Sequence, residues 1–241
     1  MRITKAFFVK QLQDFMKNMS VTMMFIVFPL ISFVMVTFMD GYDAAFQNLN
    51  FTAMFMGMGP LVYVANTIAE DNEYKSLRML IMAGVKPLQY LGGIIFFALL
   101  VSIPVLLAFA WIGDIEAANL PLFLGIGLLG ALASCLLGAT VGLFSKNVQQ
   151  CAAIYTPLMM VISFMPMLAF FNPAVANIAD FLFSRQIMLA LLDIQIGIPY
   201  EWHDVGSLPV NMQTSLIVIA GSAVAFAILF AIAYKKKGLK G

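Results

Sequence analysis

Six stretches of about twenty residues, each free of charged side chains, constrain this chain more than any other feature of its sequence. They run from Met19 to Met39, Phe51 to Ala69, Leu88 to Ile112, Leu120 to Phe144, Cys151 to Phe171 and Met212 to Tyr234. A hydrocarbon layer roughly 30 Å thick is crossed by about 20 apolar residues in helix, and backbone groups in lipid must bond to one another. The expected fold class is an all-α integral membrane protein with six transmembrane helices. Composition agrees, because only 10% of residues are charged and 62% are hydrophobic, whereas a soluble domain is about a quarter charged. Prolines 29, 60, 104, 157 and 166 fall inside the runs, where neighbouring helices absorb a kink.

Charge placement predicts orientation. Six spans put alternate loops on opposite sides. Twelve of the thirteen Lys and Arg residues then share one side: Arg2, Lys5, Lys10, Lys17, Lys75, Arg78, Lys86, Lys146, Lys235, Lys236, Lys237 and Lys240. Only Arg185 falls opposite, with Asp40, Asp43, Asp114, Glu116, Asp180, Asp193, Glu201 and Asp204. The basic side is expected to be cytoplasmic, with both termini on it. Before the first run, Ile3, Phe7, Leu12, Phe15 and Met16 recur at helical spacing among Lys5, Lys10, Gln13, Asp14 and Lys17. Residues 1–18 therefore read as an amphipathic helix lying in the membrane interface. The first run is too long for a signal-peptide core and no small-x-small cleavage site follows it, so it is expected to stay as a span.

The segment from Pro173 to Ile198 is helical in pattern but carries Asp180, Arg185 and Asp193. A seventh crossing there would bury those charges, at a cost of at least a few kcal/mol each, and would move Lys235 to Lys237 to the outer side. It is expected to form two short re-entrant helices, over about residues 172–200, that dip into the outer leaflet and return or lie on it. Asp180 and Arg185 are then candidates for an outer gate.

Soluble-enzyme chemistry is absent from the pattern. There is no His-Glu-x-x-His, Gly-x-Ser-x-Gly or Walker A loop. A net charge of +1 without a basic face argues against nucleic acid. Cys135 and Cys151, both in apolar runs, read as small packing residues, and His203 is the only histidine, so no metal pattern arises. Gly125, Gly127 and Gly130 spell G-x-G-x-x-G inside a span with no strand before it. Gly130, Ser134, Gly138 and Gly142 instead continue as a small-xxx-small stripe that lets another helix approach closely, and Ala223, Ala227 and Ala231 repeat it. The methionines, such as Met54, Met56, Met58, Met159, Met160, Met165 and Met167, fill gaps in a bundle or line a surface for varied apolar partners.

The stretch from Glu70 to Pro87 is too charged to span and too regular for a loose loop. Leu77, Leu80, Ile81 and Gly84 give one apolar face at i, i+3, i+4 and i+7. With Glu70, Asp71 and Glu73 at its start and Lys86 at its end, the charges match a helix dipole. An acidic start favours docking to a protein partner over lying on a membrane.

This arrangement resembles the type-2 ABC exporter permeases: an interfacial helix, two spans, an acidic cytoplasmic helix and four more spans. The local motifs that carry it are Glu70 and Glu73, then Ser76-Leu77 and Leu80, then Ala83-Gly84-Val85-Lys86-Pro87, the Gly92-Gly93 step, and the Ser145-Lys146-Asn147 turn. Lys75 stands where that family usually has Gly, and Ser76 stands for Thr. The resemblance covers essentially the whole chain and implies a six-span permease domain over 19–241 in a bacterial cell membrane. It further implies a second permease chain, as homodimer or heterodimer, and a separate ABC ATPase subunit that holds ATP and magnesium. Glu70, Glu73, Leu77, Leu80, Ile81 and Lys86 would couple to that ATPase, and the first, second and fifth spans would shape a seam for a hydrophobic or amphipathic substrate. The rival reading is a secondary transporter or channel working without ATP, but the six runs offer no ionisable side chain for ion coupling.

Overall fold

The computed structural model describes residues 2–75, 87–195, 208–209 and 211–237. Among them are nine helices: α1 (Arg2–Lys17), α2 (Met19–Phe38), α3 (Gly41–Glu73), α4 (Pro87–Ile112), α5 (Leu120–Phe144), α6 (Val148–Leu168), α7 (Pro173–Ala179), α8 (Phe183–Gln195) and α9 (Met212–Lys237). Helices α2 to α6 and α9 are each long and apolar enough to cross a membrane, which makes six. Helices α7 and α8 meet at a bend of 102° and form an elbow in place of a straight span.

The helix ends follow local chemistry. Asparagines open several of them by accepting orphan N–H groups: Asn18 from Val21 (3.4 Å), Asn147 from Gln150 (2.8 Å) and Asn172 from Ala174 (2.9 Å). Pro173 follows the last of these at a position where its missing N–H costs nothing. Hydroxyls within the spans bond back along their own helix, as Thr52 does to the Asn48 carbonyl and Ser102 to that of Ala98. That is how an apolar helix carries Ser and Thr through lipid.

Helix α3 is the axis of the bundle. Of its membrane window 89% is buried, against 17% for α2 and for α9. It packs most extensively on α5, and the small-residue stripe explains why. A methyl group added at Gly138 would meet the Leu61 carbonyl oxygen at 2.4 Å, and one at Gly142 would meet Ile68 Cβ at 2.8 Å. Between them and Gly130, the Ser134 hydroxyl donates to the carbonyls of Met56 and Gly57. Gly130 faces a different neighbour, Ile187 of α8. In α9 the repeat is shorter than expected: Ala223 is buried and Ala231 exposed.

Two boundaries differ from the sequence expectation. The helix that carries the second span begins at Gly41, ten residues before the expected apolar run at Phe51, and takes in a stretch read as polar outer loop. The reason is that Asn48 is satisfied from neighbouring helices. Ser32 donates to its Oδ1 (2.8 Å), and its Nδ2 donates to the Phe109 carbonyl (3.1 Å). At its other end α3 runs on through Glu73, so the acidic residues close that helix and do not open a new one. Helix α1 is docked to the bundle by Phe15, edge-on to Phe25 (5.2 Å) and Tyr63 (5.8 Å), and by the Tyr63 hydroxyl donating to Gln11 (2.7 Å). Val9, Leu12 and Met16 stay exposed on its outer side.

Candidate coupling site

The last turn of α3 gathers contacts from four other elements. Asp71, almost fully buried, accepts from Lys10 Nζ of α1 (2.8 Å) on one oxygen and from the Tyr90 hydroxyl of α4 (2.6 Å) on the other. Lys10 also pairs with Asp14 one turn along α1 (3.5 Å). Asn72 donates to the Gly142 and Ser145 carbonyls at the end of α5 (3.3 and 3.2 Å). Glu73 accepts from the backbone N–H of Val148, the first residue of α6 (3.0 Å).

Acidic residues at a helix C-terminus oppose its dipole, so Glu70, Asp71 and Glu73 within one turn need compensation. Asp71 finds it in a cation and a hydroxyl. Glu73 finds it at another helix: its carboxylate caps the positive end of α6. In the sequence reading Glu73 stands at the start of a helix running on to Lys86; here it lies in the last turn of α3 and meets the N-terminus of α6 instead. Glu70 lies half-buried in the same turn.

Beyond Glu73 the chain turns sharply. The Tyr74 N–H bonds back to the Glu70 carbonyl (3.0 Å), and Lys75 adopts a left-handed backbone with φ of +56°. Glycine takes that conformation without strain, and lysine does not. Of the expected coupling residues, Leu77, Leu80, Ile81 and Lys86 lie outside the described residues. The segment that holds them is bounded by Lys75 and by Pro87, the first residue of α4. The Ser145-Lys146-Asn147 turn is braced beside this cluster, with the Lys146 N–H on Gln150 Oε1 (2.9 Å). The end of α3, which precedes the first expected inner segment, therefore meets the second expected inner turn. Sequence reasoning missed Lys10, Asn72 and Tyr90, whose partners lie 19 to 73 residues away. No local pattern marks such pairs.

At the opposite end, the elbow between α7 and α8 brings Asp180 and Arg185 together. Arg185 Nε donates to Asp180 Oδ1 at 2.7 Å, and both side chains are buried. The Asp180 carbonyl accepts from Gln186 (2.7 Å), whose Oε1 accepts from Ser215 of α9 (2.8 Å). The backbone N–H of Leu208 donates to Asp180 Oδ2 (3.2 Å), and the guanidinium lies over the Phe170 ring, 5.2 Å from its centre. Every residue of α8 from Phe183 to Leu192 is buried, so this helix is inserted among its neighbours and does not lie on a surface.

The methionines divide. Met54 and Met56 are core filling in α3, whereas Met160 is exposed on α6 beside Val161, Phe164 and Leu168. Among the described residues no group of three or more His, Cys, Asp or Glu side chains is placed to hold a metal ion.

The fold and these clusters define a class: a multi-pass helical membrane protein with its polar machinery at the two ends of the bundle. The sequence profile of the ABC-2 family transporter proteins matches residues 9–232. The chain belongs to that family, as a transmembrane permease component, and membership implies association with an ABC ATPase. No curated protein matches the chain.

Proposed function

We propose that this chain is the permease half of an ATP-driven exporter, moving a hydrophobic or amphipathic substrate such as a drug, an antimicrobial peptide or a lipid-like molecule out of the cytoplasm or the inner leaflet. The observation that carries this reading is the knot at the end of α3. The segment expected to receive the ATPase lies between Lys75 and Pro87. Beside Lys75, three consecutive side chains tie α3 to α1, α4, α5 and α6. A displacement delivered to the loop would enter the most buried helix and spread at once to four others. Such coupling needs a bundle with two arrangements whose balance the partner biases.

In this reading ATP and magnesium sit on the partner ATPase, and residues 75–86 and 145–147 face the cytoplasm together with both termini. A second permease chain, identical or related, completes the transporter. Because α3 is largely enclosed, the open faces are those of α2, α6 and α9, and of the spans expected at the seam they are α2 and α6. Their exposed Met23, Ile26, Leu30, Met160 and Phe164 suit an apolar substrate.

If the adjacent reading frame encodes an ABC ATPase, co-expression with it is expected to give a stable complex. Glu73→Lys or Leu80→Pro should abolish substrate-stimulated ATP turnover while membrane insertion persists. Transport by the purified chain with no ATPase present would refute the reading.

A further inference from the structure

Phe33 of α2 and Trp111 of α4 lie face to face, with ring centres 6.2 Å apart and planes 10° from parallel. Both rings are exposed, Trp111 over 76% of its surface. An indole left this open in water forfeits the burial that makes an aromatic ring favourable, so the pair calls for a partner outside the chain.

The pair stands at a boundary between two kinds of surface. Toward the Asp71 end, α2 and α4 expose apolar side chains beside it, with Ile26, Leu30, Leu100 and Leu107 among them. In the other direction the exposed residues turn acidic within a few positions, at Asp40 and Asp43 after α2 and at Asp114 and Glu116 after α4.

Depth along the helices fits the same boundary. Tyr90, which bonds to Asp71 at the opposite end, lies on α4 with Trp111, and the helix between them rises about 31 Å. Along α3, the helix between Asp71 and Asn48 rises about 34 Å, and Asn48 bonds to the Phe109 carbonyl, close to Trp111 in α4. A hydrocarbon core is about 30 Å thick. On α2 the rise from Lys17 to Phe33 is shorter, about 24 Å, a shortfall that the exposed lysine covers by snorkelling.

We propose that Phe33 and Trp111 form a lipid-binding surface seated between the head groups and the acyl chains of the leaflet away from Asp71. Tryptophan suits that layer because its ring body is apolar and its N–H donates to head-group and ester oxygens. Phe33 backs one face of the indole, so less side-chain freedom is lost when lipid packs on the other. The occupant is lipid and not a second copy of this chain, because the surface continues the apolar band of two membrane-crossing helices. Moreover, α4 is not among the spans expected at the seam. The inference is independent of ATP coupling and of which side is cytoplasmic.

The test uses the full chain in phosphatidylcholine nanodiscs. Trp202→Phe leaves Trp111 as the only tryptophan. Its fluorescence is read against lipids carrying a nitroxide near the head of the acyl chain, against lipids carrying it near the methyl end, and against aqueous iodide. The shallow label is expected to quench at least about twofold more strongly than the deep one, and iodide weakly. Should Trp202→Phe fail to insert, the difference in emission between the unaltered chain and Trp111→Phe reports the same ring. Equal or stronger quenching by the deep label overturns the proposal. Strong quenching by iodide with little from either lipid label overturns it too, by placing the ring in water. Quenching by none of the three places the ring under protein, as at a contact between copies, and also overturns it.

Discussion

At the scale of single residues, the chain's polar side chains are informative because lipid leaves them so few partners. Asp71 is the sharpest case, a buried carboxylate shared between Lys10 and Tyr90. A hydrogen bond to a charged group contributes about 1.5–3 kcal/mol, and leaving one end unpaired costs the desolvation of the other. Asp71→Asn is expected to lower the unfolding midpoint in detergent, and Lys10→Met to do so less, because Tyr90 still serves the carboxylate. A double-mutant cycle should then return a coupling of about 1 kcal/mol or more between positions 10 and 71; additive effects would show the pair to be idle. The buried pair at the elbow follows a different rule. Arg185→Met alone strands Asp180 and should cost about 3–5 kcal/mol, whereas Arg185→Met with Asp180→Leu should recover most of that loss. Thermal unfolding of the three variants decides it. A double variant no more stable than the single would mean that the bonds from Leu208 and Gln186, not the charge pair, hold the elbow.

Between elements, close approach is the main device, and the glycines show where it is used. Gly138 sits with a backbone carbonyl in the place of its missing side chain, while Gly92 faces open space. Gly138→Ala should therefore push α5 from α3 and destabilise the bundle by about 1–3 kcal/mol. Gly92→Ala should be neutral, or stabilise its helix by up to about 1 kcal/mol. Equal behaviour of the two in a denaturation series would contradict the packing. The stripe itself was legible in the sequence, because small residues recur every fourth position. That Gly130 serves α8 while Gly138 and Gly142 serve α3 was not legible, since spacing says which face is small and nothing about what lies across it. The start of α3 was misjudged for the same kind of reason. Asn48 looks like a loop residue until Ser32 and the Phe109 carbonyl are seen to satisfy it.

For the whole molecule, the distribution of basic residues makes a prediction that can be read from outside. Cys135 and Cys151 are buried, so the background for thiol labelling is low. Cysteine introduced at Lys146 is expected to react with an impermeant maleimide only from the cytoplasmic side, and cysteine at Glu116 only from the opposite side. Labelling of both from one side would break the alternation of spans. The number of crossings and the preference of Lys and Arg for one end were available from the sequence alone, because hydropathy and charge add up along a continuous stretch. Length against bilayer thickness needs no knowledge of neighbours. Only the tertiary structure decided that α3 is the axis, that Glu73 caps α6, that Asp71 binds α1 and α4, and that α8 is buried. Those choices depend on which surfaces meet, and residues 10, 71 and 90 are neighbours only once the spans between them have packed.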